Sequence, residues 1–159
     1  MNMDSIKELL SNFDLSNFLP EINTIMGWVT MLLRLAVMAG PVIILVLGLI
    51  YLFAPPKEAN HRAGFRTLWG MGSVEAWQFT QKAAGIAFSV LGFVLTVVMA
   101  LLCNGYRNMT PDEMILSAVK SLLWQLGLVV VCTLVLHILA LILFDWKGVR
   151  RSEKRKKAK

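Results

Sequence analysis

The side chains able to do chemistry in this 159-residue chain fall in two places. The first is the stretch 60–85, where Asn60, Arg62, Arg66, Thr67, Glu75, Trp69 and Trp77 crowd among Gly64, Gly70 and Gly72. Arginine forks bind carbonyls, carboxylates and phosphates, and indoles settle at membrane–water boundaries. Such a set suits either recognition of a partner or a plug that satisfies itself, with Arg66 bound to loop carbonyls and Glu75. Both readings stay open. The second place is a long apolar run holding Gln125, Thr133 and His137. An ionisable group inside a membrane span is a functional candidate by default. The structural alternative is a neutral His137 bonded to a neighbouring helix, with Ser89, at a similar depth, as the expected partner.

Nothing else is spaced for catalysis or for a metal. Glu58 and His61 adjoin in a loop with no third ligand, and Cys103 and Cys132 stand in apolar runs without ligand or disulfide spacing. HExxH, CxxC, GxSxG and phosphate-loop patterns do not occur. The expectation is a chain that is not an enzyme and takes no cofactor and no metal.

Lipid must position these residues. A hydrophobic fraction of 57% and a mean hydropathy of +0.63 exceed the globular range. Residues 35–54 and 83–102 carry no charge, and a third apolar run covers about 122–144. At ~1.5 Å per residue each crosses a ~30 Å hydrocarbon core. Gly40-Pro41 should bend the first span and Pro55-Pro56 should end it. Ser73 reads as a helix N-cap, with Glu75 in the first turn. Thr110-Pro111-Asp112-Glu113 opens the third helix with a capping box and a proline at its first position. Gly85, Ser89, Gly92, Thr96 and Ala100 recur every three or four residues, a stripe of small side chains that lets helices approach closely in lipid. This makes the second helix the expected centre of the bundle. A homodimer through that stripe or the first span is a further expectation. In residues 1–24, Ile6, Leu9, Leu10 and Phe13 at helical spacing read as an amphipathic helix on the bilayer surface.

Charge sets the expected orientation. Residues 147–159 hold eight Lys/Arg and one Glu, a local +7, so the remainder sums to −1 within a net +6. Three spans put the loop 55–82 and this tail on one side, with twelve Lys/Arg against four on the other. The positive-inside rule then makes loop and tail cytoplasmic and the N-terminus external. The tail reads as an anchor for anionic lipid; nucleic-acid binding is not expected. The fold class is therefore an all-α membrane protein: three transmembrane helices over 25–146, an N-terminal amphipathic helix, a structured cytoplasmic loop and a basic tail.

The spaced set Asn60-x3-Gly64-Phe65-Arg66-Thr67-x-Trp69, followed by Ser73-x-Glu75-x-Trp77-x2-Thr80 and Gly85, resembles the signature of the SdpI family. These are bacterial multi-spanning membrane proteins known for immunity to a secreted killing peptide. The chain departs from that pattern at Leu68, where the family usually has Pro, and at Gly70, where Thr is frequent. Gln81 stands where His is common, so no role resting on that His carries over. The resemblance implies a protein of the bacterial plasma membrane that protects against an antimicrobial peptide toxin and signals to a cytoplasmic regulatory protein. Apart from the resemblance, a small membrane sensor or scaffold that recruits a protein partner remains open, and a transporter subunit using Gln125 and His137 is a third reading.

Overall fold

The computed structural model describes residues 18–57, 59 and 64–152, with side chains from residue 24 onward and without that of Arg107. Three helices account for most of them: α1 (Phe18–Phe53), α2 (Val74–Gly105) and α3 (Pro111–Leu143). Short 3-10 turns follow at Gly70–Gly72 and Tyr106–Asn108, and the one strand-like feature among the described residues is a bridge between Phe144 and Arg150. All three helices are long and apolar enough to cross a membrane. With 36, 32 and 33 residues they exceed the expected spans. At ~1.5 Å per residue each is about 50 Å long, so its ends reach beyond a ~30 Å hydrocarbon core. The proposed amphipathic segment lies mostly outside the described residues; α1 already runs from Phe18.

Local chemistry places the helix ends where the sequence signals stand. The Ser73 hydroxyl accepts from Ala76 N–H at 3.1 Å and caps α2. Glu113 accepts from Thr110 N–H at 3.0 Å, and Pro111 opens α3. Pro41 does not end α1, which continues to Phe53 just before Pro55-Pro56. A proline in a helix interior deprives the carbonyl four residues earlier of its donor. That carbonyl is Val37 O, and the Gln125 side chain of α3 donates to it at 3.0 Å.

Helix α2 packs mainly against α1 and less against α3. Its most apolar stretch is 28% buried inside the chain, against 17% for α1 and 11% for α3, so α2 is the centre of the bundle and lipid must solvate most of the other faces. The small-residue stripe makes this packing. A Cβ on Gly85 would lie 2.8 Å from Leu52 N, and one on Gly92 would overlap Leu45. From the other side, a Cβ on Gly48 would lie 2.7 Å from the Phe88 carbonyl carbon and overlap the Ser89 amide nitrogen. Gly85, Ser89 and Gly92 of the stripe therefore face α1 within one chain. Thr96 bonds the Gly92 carbonyl of its own helix at 2.7 Å, and Ala100 is exposed. Toward the turn between α2 and α3, Val37, Leu95, Met99, Cys103, Tyr106 and Met114 form the core. Toward the opposite end, Ala84, Phe88 and Leu136 do so, with Phe65 packed against them.

Candidate functional site

Among the described residues between α1 and α2, side chain-to-backbone bonds hold a hairpin. Gly64 takes φ +110°, a region that disfavours side chains, and a Cβ there would lie 2.7 Å from the Trp77 ring. Trp77 is fully buried and donates its indole N–H to Pro56 O at 2.8 Å, tying α2 to the end of α1. Gln81, also fully buried, grips Phe65 on both sides. Its Oε1 accepts from Phe65 N–H at 2.8 Å and its Nε2 donates to Phe65 O at 2.7 Å. A carboxamide carries donor and acceptor side by side, whereas an imidazole directs its two nitrogens apart. Gln81, which in the sequence stands out only as a departure from the family pattern, is thus a structural clamp.

Thr67, almost fully buried, closes the next turn. Its hydroxyl accepts from Gly70 N–H at 2.9 Å and its carbonyl from Met71 N–H at 3.1 Å. Thr80 donates to Trp77 O at 2.9 Å. The 3-10 turn then delivers Ser73, which both caps α2 and donates to Gly148 O at 2.7 Å.

That last bond reaches the start of the basic tail, expected to act as an anchor for anionic lipid. Asp145-Trp146-Lys147-Gly148 has Asp and Gly at the ends of a type I turn. Gly148 N–H bonds Asp145 O at 2.9 Å, and the Asp145 carboxylate accepts from the N–H groups of Lys147 at 3.0 Å and Val149 at 2.8 Å. Gly148 has φ +70° and lies on the backbone of Gly72, where an added Cβ would meet Gly148 N at 2.6 Å. Arg151 Nε donates to Phe144 O at 3.1 Å. Trp69 and Trp146 stack edge to face with ring centres 6.4 Å apart, and Phe79 meets Phe144 at 5.5 Å. Residues 144–151 thus form a clasp over the hairpin.

The structure brings Gly64, Thr67, Trp69, Ser73 and Trp77 together as that scaffold. Glu75 is exposed, 4.0 Å from Arg150 Nε, and Arg66 is exposed as well. Asn60, His61 and Arg62 lie outside the described residues. His137 does not pair with Ser89. Its Nδ1 lies 2.9 Å from Thr133 O, one turn earlier, and its ring meets Phe65 edge to face at 5.4 Å. Ser89 Oγ is buried against α1 with no hydrogen-bond partner. Equal depth in two helices says nothing about which faces meet. Among the described residues no three His, Cys, Asp or Glu side chains group to hold a metal.

The profile of the SdpI/YfhL protein family matches residues 57–144, more than half of the chain, taking in the hairpin, α2 and α3. Comparisons with curated proteins and with solved structures give no match.

Proposed function

The chain belongs to the SdpI/YfhL protein family, and from that membership we propose a non-catalytic immunity protein that protects the bacterial plasma membrane against a secreted antimicrobial peptide. The observation that carries this reading is the family match over the hairpin and two apolar helices. In the proposed mechanism the helix faces meet the toxin within the bilayer. The net-acidic N-terminal segment faces outward and attracts a cationic peptide; the hairpin and its clasp hold the bundle together on the cytoplasmic side. The test is expression in a sensitive bacterium challenged with a panel of killing peptides, beside Arg66→Ala. Survival gained with the parent chain and lost in the variant, at equal membrane abundance, supports the proposal. No gain across the panel rejects it.

A second reading, a scaffold that recruits a cytoplasmic protein, draws support from what the hairpin leaves outward. Trp77, Gln81 and Thr67 are consumed internally, while Arg66, Leu68, Trp146 and Arg150 are exposed on the same end of the molecule. Photo-crosslinking from position 68 in cells yields a discrete adduct on this reading, and none if the hairpin is only a plug.

A further inference from the structure

At the opposite end of the bundle, between α1 and the turn joining α2 to α3, lies a cavity of about 550 Å³. This falls within the size range of small-molecule sites. Arg34 and Thr30 of α1 line it, with Tyr106 from the turn and the apolar side chains of Met26, Met31 and Met109. Thr30 is already committed, donating to Met26 O at 2.8 Å. Tyr106 is only 2% exposed, yet its hydroxyl is buried without a hydrogen-bond partner, and so is Arg34 Nε. Two residues that line one cavity thus each carry a buried donor without an acceptor, and buried polar groups are normally paired. Among the described residues no Asp or Glu lines the cavity. Of the acidic residues at the start of α3, Glu113 is engaged by Thr110 N–H and Asp112 is exposed.

We propose that this cavity binds the phosphate headgroup of an anionic glycerophospholipid, with Arg34 and Tyr106 donating to the phosphate oxygens. Guanidinium favours phosphate because its planar fork matches the oxygens and it is always charged. Arg34 directly precedes the uncharged run 35–54, which sets it at headgroup depth. Met26 and Met31, on the N-terminal side of Arg34, supply an adaptable wall around the headgroup. The acyl chains lie along the exposed Leu35 and the uncharged run that follows it. The site does not depend on the immunity reading.

The test uses the full chain, purified in a neutral maltoside detergent and stripped of lipid. Phosphatidylglycerol is titrated in, with retention followed by native mass spectrometry and stabilisation by thermal melting. sn-Glycerol 3-phosphate is titrated in parallel as the headgroup without chains. One retained phosphatidylglycerol per chain with a raised melting temperature is expected. Arg34→Gln and Tyr106→Phe, the second leaving the ring packing in place, should each weaken it about tenfold, as loss of a bond to a charged group does. Lys82→Gln, an exposed cation at the hairpin end, should bind as the parent does. Equal binding by both site variants, or an equal loss in Lys82→Gln, overturns the site. A melting shift from glycerol phosphate as large as that from the lipid makes it a site for a free anion and overturns the lipid assignment.

Discussion

The Gln125 carboxamide of α3 donates to the Val37 carbonyl of α1 across 3.0 Å, at the one acceptor that Pro41 strips of its helical partner. A proline that could have broken α1 becomes the point where α3 is fastened to it. In hydrocarbon no water can satisfy a freed carbonyl, so the pair holds both the helix and the contact between helices.

Gln125→Leu should therefore lower stability by about 1–3 kcal/mol, the range for leaving a buried group unpaired. Pro41→Ala returns an N–H to the helix and gives Val37 O its own donor. The double variant should lose less than the single changes sum to, because the two residues act on one acceptor. Unfolding in mixed micelles for the four chains measures this coupling, and strict additivity argues against it.

Gln81→His should loosen the hairpin, since one imidazole cannot hold both polar groups of Phe65 as the carboxamide does. The expected loss is about 2 kcal/mol, with one backbone group left unpaired in a buried site. Thermal melting together with hydrogen exchange at Phe65 reads it; unaltered protection there contradicts the clamp.

Gly148→Ala meets two obstacles, the left-handed φ of +70° and the backbone of Ser73. The first alone costs about 1–2 kcal/mol. The clasp should open, and trypsin should cut after Arg150 and Arg151 faster than in the parent chain. Ser73→Ala should accelerate the same cuts, since it removes the bond to Gly148 O.

His137→Leu should change melting by no more than about 1 kcal/mol, the scale of one edge-to-face ring contact. His137 makes its one hydrogen bond within its own helix, so no bond between helices is lost. A larger loss assigns the ring a contact beyond Phe65.

Orientation is testable at Met71, in the 3-10 turn of the hairpin. Met71→Cys should resist an impermeant thiol reagent added to whole cells and react after lysis. Labelling of intact cells would place the hairpin outside.

The three helices were legible because lipid demands long uncharged runs, a constraint written residue by residue. Ser73 and Thr110-Pro111-Asp112-Glu113 were equally legible, since a cap depends on its own neighbours. Contacts that depend on how a helix is rotated were not. His137 was expected on Ser89, but that hydroxyl faces α1. Gln125 was visible as a polar residue in a span, yet its acceptor required knowing that α3 passes beside Pro41. The turn at Asp145 and Gly148 did carry its signature, but it sits at the edge of a basic run whose charge pointed to a lipid anchor. Gln81 was set aside as a departure from a family pattern, although its geometry alone explains why a carboxamide serves there.

Ser73 and Gly148 are bonded across 75 positions of chain. During synthesis the ribosome releases Ser73 long before Gly148, and all of α3 must emerge and insert between them. Until then the hairpin is a lidless box, its Gly72 uncovered. A nascent chain stalled or cut ahead of Gly148 would keep every hydrophobic span and still be unfinished, offering quality-control proteases a marker of incomplete translation in a product of otherwise normal topology.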